Sequence, residues 1–181
     1  MGLRRVAAVV GLLQLVLALS MLLTGGVAAF YGDGDAKGIL LSALVTVVVG
    51  GVLYKVADLK VDITAREGFA IVTFAWAACS VMGALPFLFT GVLESPVAAM
   101  FEAMSGLTTT GATVFADVES LPHGILFWRS LTHWLGGMGI IVLVIAVLPY
   151  FGVGGMQLFR AEVPGLTPER LQPRITQTAK V

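Results

Sequence analysis

The chain has 181 residues, 57% hydrophobic and 12% charged, with eleven Lys and Arg balanced by eleven Asp and Glu. With a mean hydropathy of +0.95, that composition excludes an ordinary soluble domain and marks an integral membrane protein. The zero net charge gives no basis for nucleic-acid binding, the single Cys79 excludes a disulfide framework, and His123 and His133 match no metal-ligand spacing.

Arg4 and Arg5 precede an apolar run from Val6 to Phe30. It exceeds the ~7–15 residues of a signal-peptide core, so it reads as an uncleaved first membrane helix. Tyr31-Gly-Asp-Gly-Asp-Ala-Lys-Gly38 is a tight polar turn. A second helix is expected from about Ile39 to Val56, with Gly50-Gly51 near its end. Lys55–Glu67 is a charged connector, in which Thr64 and Glu67 form a capping box for the next helix. That third helix is expected over Ala65–Phe89, with Pro86 near its far end.

The stretch Ser95–Val114, SPVAAMFEAMSGLTTTGATV, breaks the pattern. Ser95 and Pro96 signal a helix start, and Ser105-Gly106 breaks the apolar run after Met104. At ~1.5 Å per residue the run reaches roughly half of a bilayer's hydrocarbon thickness. It cannot span. TTTGATV, an extended run of short side chains around Gly111, follows. Irregular backbone at membrane depth survives only where protein buries it or a water-filled cavity solvates it. A half-depth helix feeding such a segment has the layout of a re-entrant selectivity loop, with carbonyls replacing a cation's hydration shell and the negative end of the helix turned towards the ion. The same residues also read as a Thr/Gly-rich outer turn between two membrane helices.

The last helix is expected to start near Ser120, with Pro122 in its first turn, and to end at about Leu148. Glu102 and Arg129 lie where charge is costly. Either they pair, tying the short helix to the last one, or each reaches the interface separately. Gly136, Gly137 and Gly139 fall in mid-helix and serve close packing or a hinge. Ser130 and His133 share one helix face, but an intramembrane hydrolase would also need an oxyanion motif and a third partner, so no enzyme is expected. FGVGG (151–155) ends the helix, and the Pro-punctuated tail reads as a connector.

Arg4, Arg5, Lys55, Lys60, Arg66, Arg160, Arg170, Arg174 and Lys180 are nine of the eleven basic residues, and all fall on one side of this topology. The positive-inside rule makes that side cytoplasmic, so both termini are cytoplasmic and the loop dips in from outside. Asp33, Asp35, Glu94, Asp117 and Glu119 fall on the outer side, where they either form a cation-concentrating vestibule or belong to ordinary hydrophilic loops.

FEAMSGLTTTGATV, WRSLTHWLGGMGIIVLVIAVLP and GVGGMQLFRAEVPG resemble the TrkH-type potassium transporters of the Trk/Ktr/HKT superfamily. The resemblance implies an all-α membrane fold: an N-terminal helix pair (1–60), one helix–re-entrant pore loop–helix repeat (61–156), and a cytoplasmic connector (157–181) towards a second repeat. It implies four such repeats around one pathway in the bacterial inner membrane, and K+ as transported ion with no organic cofactor. Thr109, Thr110, Gly111, Ala112 and Thr113 would be this chain's quarter of the filter, with K+ at Thr109 and Thr110. The implied partners are membrane lipid, the remaining repeats, a TrkA-type cytosolic nucleotide-binding regulatory subunit, and a second copy in a homodimer when full length. Since the loop signature occurs once, the expectation is the N-terminal part of such a transporter. A self-assembling K+ channel protomer and a non-conducting assembly subunit are the alternatives.

Overall fold

The computed structural model describes residues 3–55 and 65–147, and every regular element among them is helical. The helices are α1 (Leu3–Tyr31), α2 (Ala36–Lys55), α3 (Ala65–Phe89), α4 (Pro96–Leu107) and α5 (His123–Val147). The first three are long and apolar enough to cross a membrane. α4, at 12 residues, extends only about 18 Å. Expected boundaries fall within three residues of these at nearly every end. The Thr64 half of the capping box, FGVGG and the tail lie outside the described residues.

Two boundaries differ for a physical reason. α4 continues through Ser105 and Gly106 to Leu107, because Gly106 is a contact point rather than a break. α5 begins at His123, with Pro122 just outside it accepting from the Leu126 N–H at 3.0 Å.

One compact unit runs from Met1 to Ile145. Its core takes a side chain from every helix: Met21, Ile39, Phe87, Ala103 and Trp128 are all fully buried. Gly11 and Gly50 let α1 and α2 touch backbone to backbone, since a Cβ at Gly11 would sit 2.7 Å from the Gly50 carbonyl oxygen. Buried hydroxyls are satisfied within their own helices: Thr24, Ser42, Thr46 and Ser80 each donate to the carbonyl four residues back. The Trp128 indole N–H donates to the Gly83 carbonyl at 3.1 Å, joining α5 to α3. Large side chains such as Leu12, Leu19, Leu23 and Phe30 are exposed, as befits helices whose solvent is hydrocarbon.

The α1–α2 turn docks on the start of α5. Asp33 Oδ2 accepts from the His123 N–H at 2.9 Å and lies 2.7 Å from His123 Nδ1. The imidazole stacks on Tyr31, with ring centroids 4.2 Å apart. These hydrogen bonds from His123, backbone first, hold the Asp33 carboxyl below its ordinary pKa. Asp35 is buried, and a Cβ on Gly124 in the first turn of α5 would overlap its carboxylate. That helix end favours an anion. Asp33 bonds to the start of α5 yet is exposed, as are Glu94, Asp117 and Glu119, whereas the buried Asp35 is withdrawn from the expected acidic vestibule.

Candidate functional site

α4 begins as its sequence dictates. Ser95, extended at φ −85° and ψ 120°, accepts from the Ala98 N–H, and Pro96 takes the first helical position. Its other end lies directly on α5. A Cβ at Gly106 would overlap the Thr132 side chain, and a Cβ at Gly136 would overlap the Leu107 carbonyl. The end of the short helix is thus set by contact with a full-length one.

Beyond Leu107 the chain folds back over the helix terminus. The N–H groups of Thr108, Thr109 and Thr110 donate to the carbonyls of Met104, Gly106 and Ser105 at 2.8, 2.9 and 2.9 Å. Those bonds satisfy carbonyls that every helix C-terminus leaves open. Three successive N–H groups therefore face α4. In a trans peptide the carbonyl of one residue opposes the N–H of the next, and the described residues contain no cis peptide. The carbonyls of Thr108 and Thr109 consequently face away from α4.

The sign of φ alternates along this row. Thr108 has φ −84°, Thr109 +56° and Gly111 +78°, while Thr110 and Ala112 have no positive φ. In an extended strand successive residues face opposite sides. The alternating sign of φ departs from that pattern. Thr109 holds a left-handed angle unfavourable to an L residue; Gly111 holds one at no such penalty. Among the described residues the carbonyls of Thr108, Thr109, Thr110 and Gly111 accept no hydrogen bond.

Ala112 departs from the row. Its carbonyl accepts from Ser105 Oγ at 2.5 Å and so faces α4. Ala112 belongs to the filter stretch that the resemblance implies, and its carbonyl is engaged by the Ser105 hydroxyl. Thr113 is drawn in by its side chain: Oγ1 donates to the Glu102 carboxylate, at 3.0 Å to Oε2.

Glu102 is the anchor of the returning limb. It is 4% exposed and also accepts from the Val114 N–H at 3.0 Å and from Arg129 Nε at 2.6 Å. Arg129 lies 5.8 Å over the Phe115 ring. Donors from the loop and from α5 thus meet one carboxylate, the condition under which a buried charge is tolerable.

The three mid-helix glycines separate. Gly136 is the point of backbone contact, a Cβ at Gly137 would lie 4.0 Å from Thr109 Cγ2, and nothing described lies within 4 Å of a Cβ at Gly139. Ser130 Oγ donates to the Leu126 carbonyl, and His133 Nδ1 lies 2.9 Å from the Arg129 carbonyl. Both engage their own helix, and among the described residues they make no bond to each other. No cluster of three or more His, Cys, Asp or Glu with metal-binding geometry occurs among the described residues.

Sequence reasoning passed over Ser105 and Thr108. Ser105 was masked by its neighbour, because Ser-Gly reads as a helix stop. Thr108 carried a signal, being the first of three consecutive threonines; it caps α4, and its Oγ1 donates to the Met104 carbonyl at 2.8 Å.

Residues 37–181 match the TrkH family, described as cation transport protein. The chain is 46% identical to the Trk system potassium uptake protein TrkH of Salmonella typhimurium, over 99% of this chain and 38% of that protein. It is 37% identical to the Trk system potassium uptake protein TrkG of Escherichia coli, over 94% of this chain and 36% of that protein. It superimposes on the crystal structure of the potassium transporter TrkH from Vibrio parahaemolyticus with a TM-score of 0.82 and 37% identity, covering 99% of this chain and 36% of that one. The chain thus spans somewhat over a third of the length of these relatives. An all-α membrane protein of this sequence and architecture belongs to the TrkH family of cation transport proteins.

Proposed function

We propose that this chain supplies one helix–pore loop–helix repeat of a potassium uptake transporter, with the carbonyls of Thr108, Thr109, Thr110 and Gly111 forming its share of a selectivity filter. The observation that carries this reading is the run of carbonyls at the end of a half-depth helix that accept no hydrogen bond among the described residues, those of Thr108 and Thr109 turned away from α4. Carbonyls in that arrangement replace the hydration shell of a dehydrated cation. Thr113 and Glu102 hold the loop and do not touch the ion. Permeation needs no covalent step and no organic cofactor.

One row cannot encircle an ion, so further loops of the same kind complete the ring. The domain plan is a helix pair over 1–60, the repeat over 61–156 and a connector over 157–181 leading to the next repeat. The protein lies in the bacterial inner membrane with both termini cytoplasmic, as the distribution of Lys and Arg favours. A TrkA-type nucleotide-binding subunit on the cytoplasmic side and a second copy of the transporter complete the assembly. The names of the relatives, potassium uptake proteins of the Trk system, support K+ as the ion.

Growth at low K+ tests this in cells lacking their own potassium uptake. The protein is expressed from its complete reading frame and, separately, as these 181 residues. The expected result is rescue by the complete frame alone, lost on Gly111→Ser. Rescue by the 181 residues alone would instead mean that copies of this chain close a pore by themselves. Rescue that survives Gly111→Ser would remove the filter from the mechanism.

A further inference from the structure

We propose that the Ser105 hydroxyl is the positioning group that ends the coordinating row at Gly111, by holding the Ala112 carbonyl out of the ion path. Ser105 is 6% exposed and takes both ends of a three-residue turn. Its carbonyl accepts from the Thr110 N–H at 2.9 Å, and its hydroxyl donates to the Ala112 carbonyl at 2.5 Å. Gly111, at φ +78°, is left between two tied neighbours.

The choice of acceptor is what singles this serine out. Ser20, Thr24, Ser42, Thr46, Ser80 and Ser130 all donate to the carbonyl four residues back in their own helix. Ser105 donates seven residues ahead, into the loop. One residue further on, Thr113 Oγ1 and the Val114 N–H are fixed on Glu102. The peptide that carries the Ala112 carbonyl is therefore bracketed on both sides, and Ser105 alone among the described residues holds that oxygen. Removing the hydroxyl frees one carbonyl at the end of the row, and the rest of the loop keeps its anchors. A filter selects by the number and placement of its carbonyls, so a loosened extra oxygen alters ion preference before it alters the capacity to conduct.

This inference rests on the filter reading above, and the test separates the two. Uptake of K+ and Na+ is measured for the protein from its complete reading frame and for Ser105→Ala, Ser105→Thr and Gly111→Ser, each normalised to protein in the membrane. For Ser105→Ala the half-saturating K+ concentration is expected to rise about five- to ten-fold, the weight of one hydrogen bond. Its maximal rate should change less than about two-fold, and its K+ over Na+ preference should fall by about the same factor as affinity. Ser105→Thr, which keeps the hydroxyl, should stay within about two-fold of the parent. If Ser105→Ala does not reach the membrane, Ser105→Cys, close in volume but a weak donor, is held to the same thresholds. Unchanged affinity and preference in the hydroxyl-free variant would overturn the proposal, as would a Ser105→Thr variant impaired as badly as Ser105→Ala. Undiminished uptake by Gly111→Ser would instead reject the filter itself.

Discussion

Glu102 is a carboxylate buried in a membrane protein, with loop and α5 donors converging on it. Removing it strands the Arg129 guanidinium, whose side chain is 14% exposed. Glu102→Ala should therefore destabilise the folded protein by about 3–5 kcal/mol, and adding Arg129→Leu should recover part of that loss. Thermal unfolding in detergent reads both variants; a double mutant no better than the single one would count against the coupling. The pairing was foreseeable because an isolated charge in hydrocarbon is so costly that a partner is expected. The bonds to Thr113 and Val114 were not foreseeable, since they depend on how the loop folds back on α4. Outside the membrane, Asp33 gives a pH signature. Its carboxyl is held below the ordinary value by His123. Its contribution to stability is thus complete above the unfolded value and is lost as pH falls through the lowered one. Asp33→Asn should lower the melting temperature at neutral pH and change it little at the acid end, so that the acid limb of the profile is flattened. An unaltered acid limb would remove Asp33 from the latch.

The half-length α4 is the element on which the site depends, and its position is fixed by α5. Gly136 admits the Leu107 carbonyl against the α5 backbone, whereas among the described residues nothing lies within 4 Å of a Cβ at Gly139. A methyl at Gly136 must push back Leu107, the residue just before the carbonyl row. A methyl at Gly139 meets nothing described. Gly136→Ala is expected to cut K+ uptake at least about ten-fold and to lower stability by about 1–3 kcal/mol, the range for forcing a methyl into a packed interface. Gly139→Ala should leave uptake within about two-fold, since a helical glycine whose added methyl meets nothing described tolerates alanine. Equal effects of the two variants on uptake would show that the contact with Leu107 does not set the loop. The helices themselves were largely readable in the chain, because long apolar runs punctuated by Tyr31-Gly-Asp-Gly and by Ser95-Pro96 leave little choice of boundary. The end of α4 was not. Ser105-Gly106 looks like a local stop, and only the neighbouring Thr132 explains why a glycine is needed inside the helix. For the same reason sequence alone did not separate Gly136 from Gly137 and Gly139.

At the scale of the whole molecule, the N-terminal helix pair and the loop repeat share one core, and the α1–α2 turn is bonded to the first residue of α5. The exposed apolar faces of α1 and α2 fit a protein solvated by lipid and by further segments of a larger assembly. Family membership was legible from the FEAMSGLTTTGATV loop. The outward turn of the Thr108 and Thr109 carbonyls was not, because the sign of φ at Thr109 cannot be read from a threonine. The central claim is that these carbonyls hold the ion. The most direct test is diffraction from crystals of the protein made from its complete reading frame, grown with Rb+ in place of K+. Anomalous density is expected within coordination distance of the carbonyls of Thr108, Thr109, Thr110 and Gly111, with the Ala112 carbonyl still on Ser105. Rb+ bound elsewhere, with none beside those carbonyls in a protein that transports Rb+, would contradict the account.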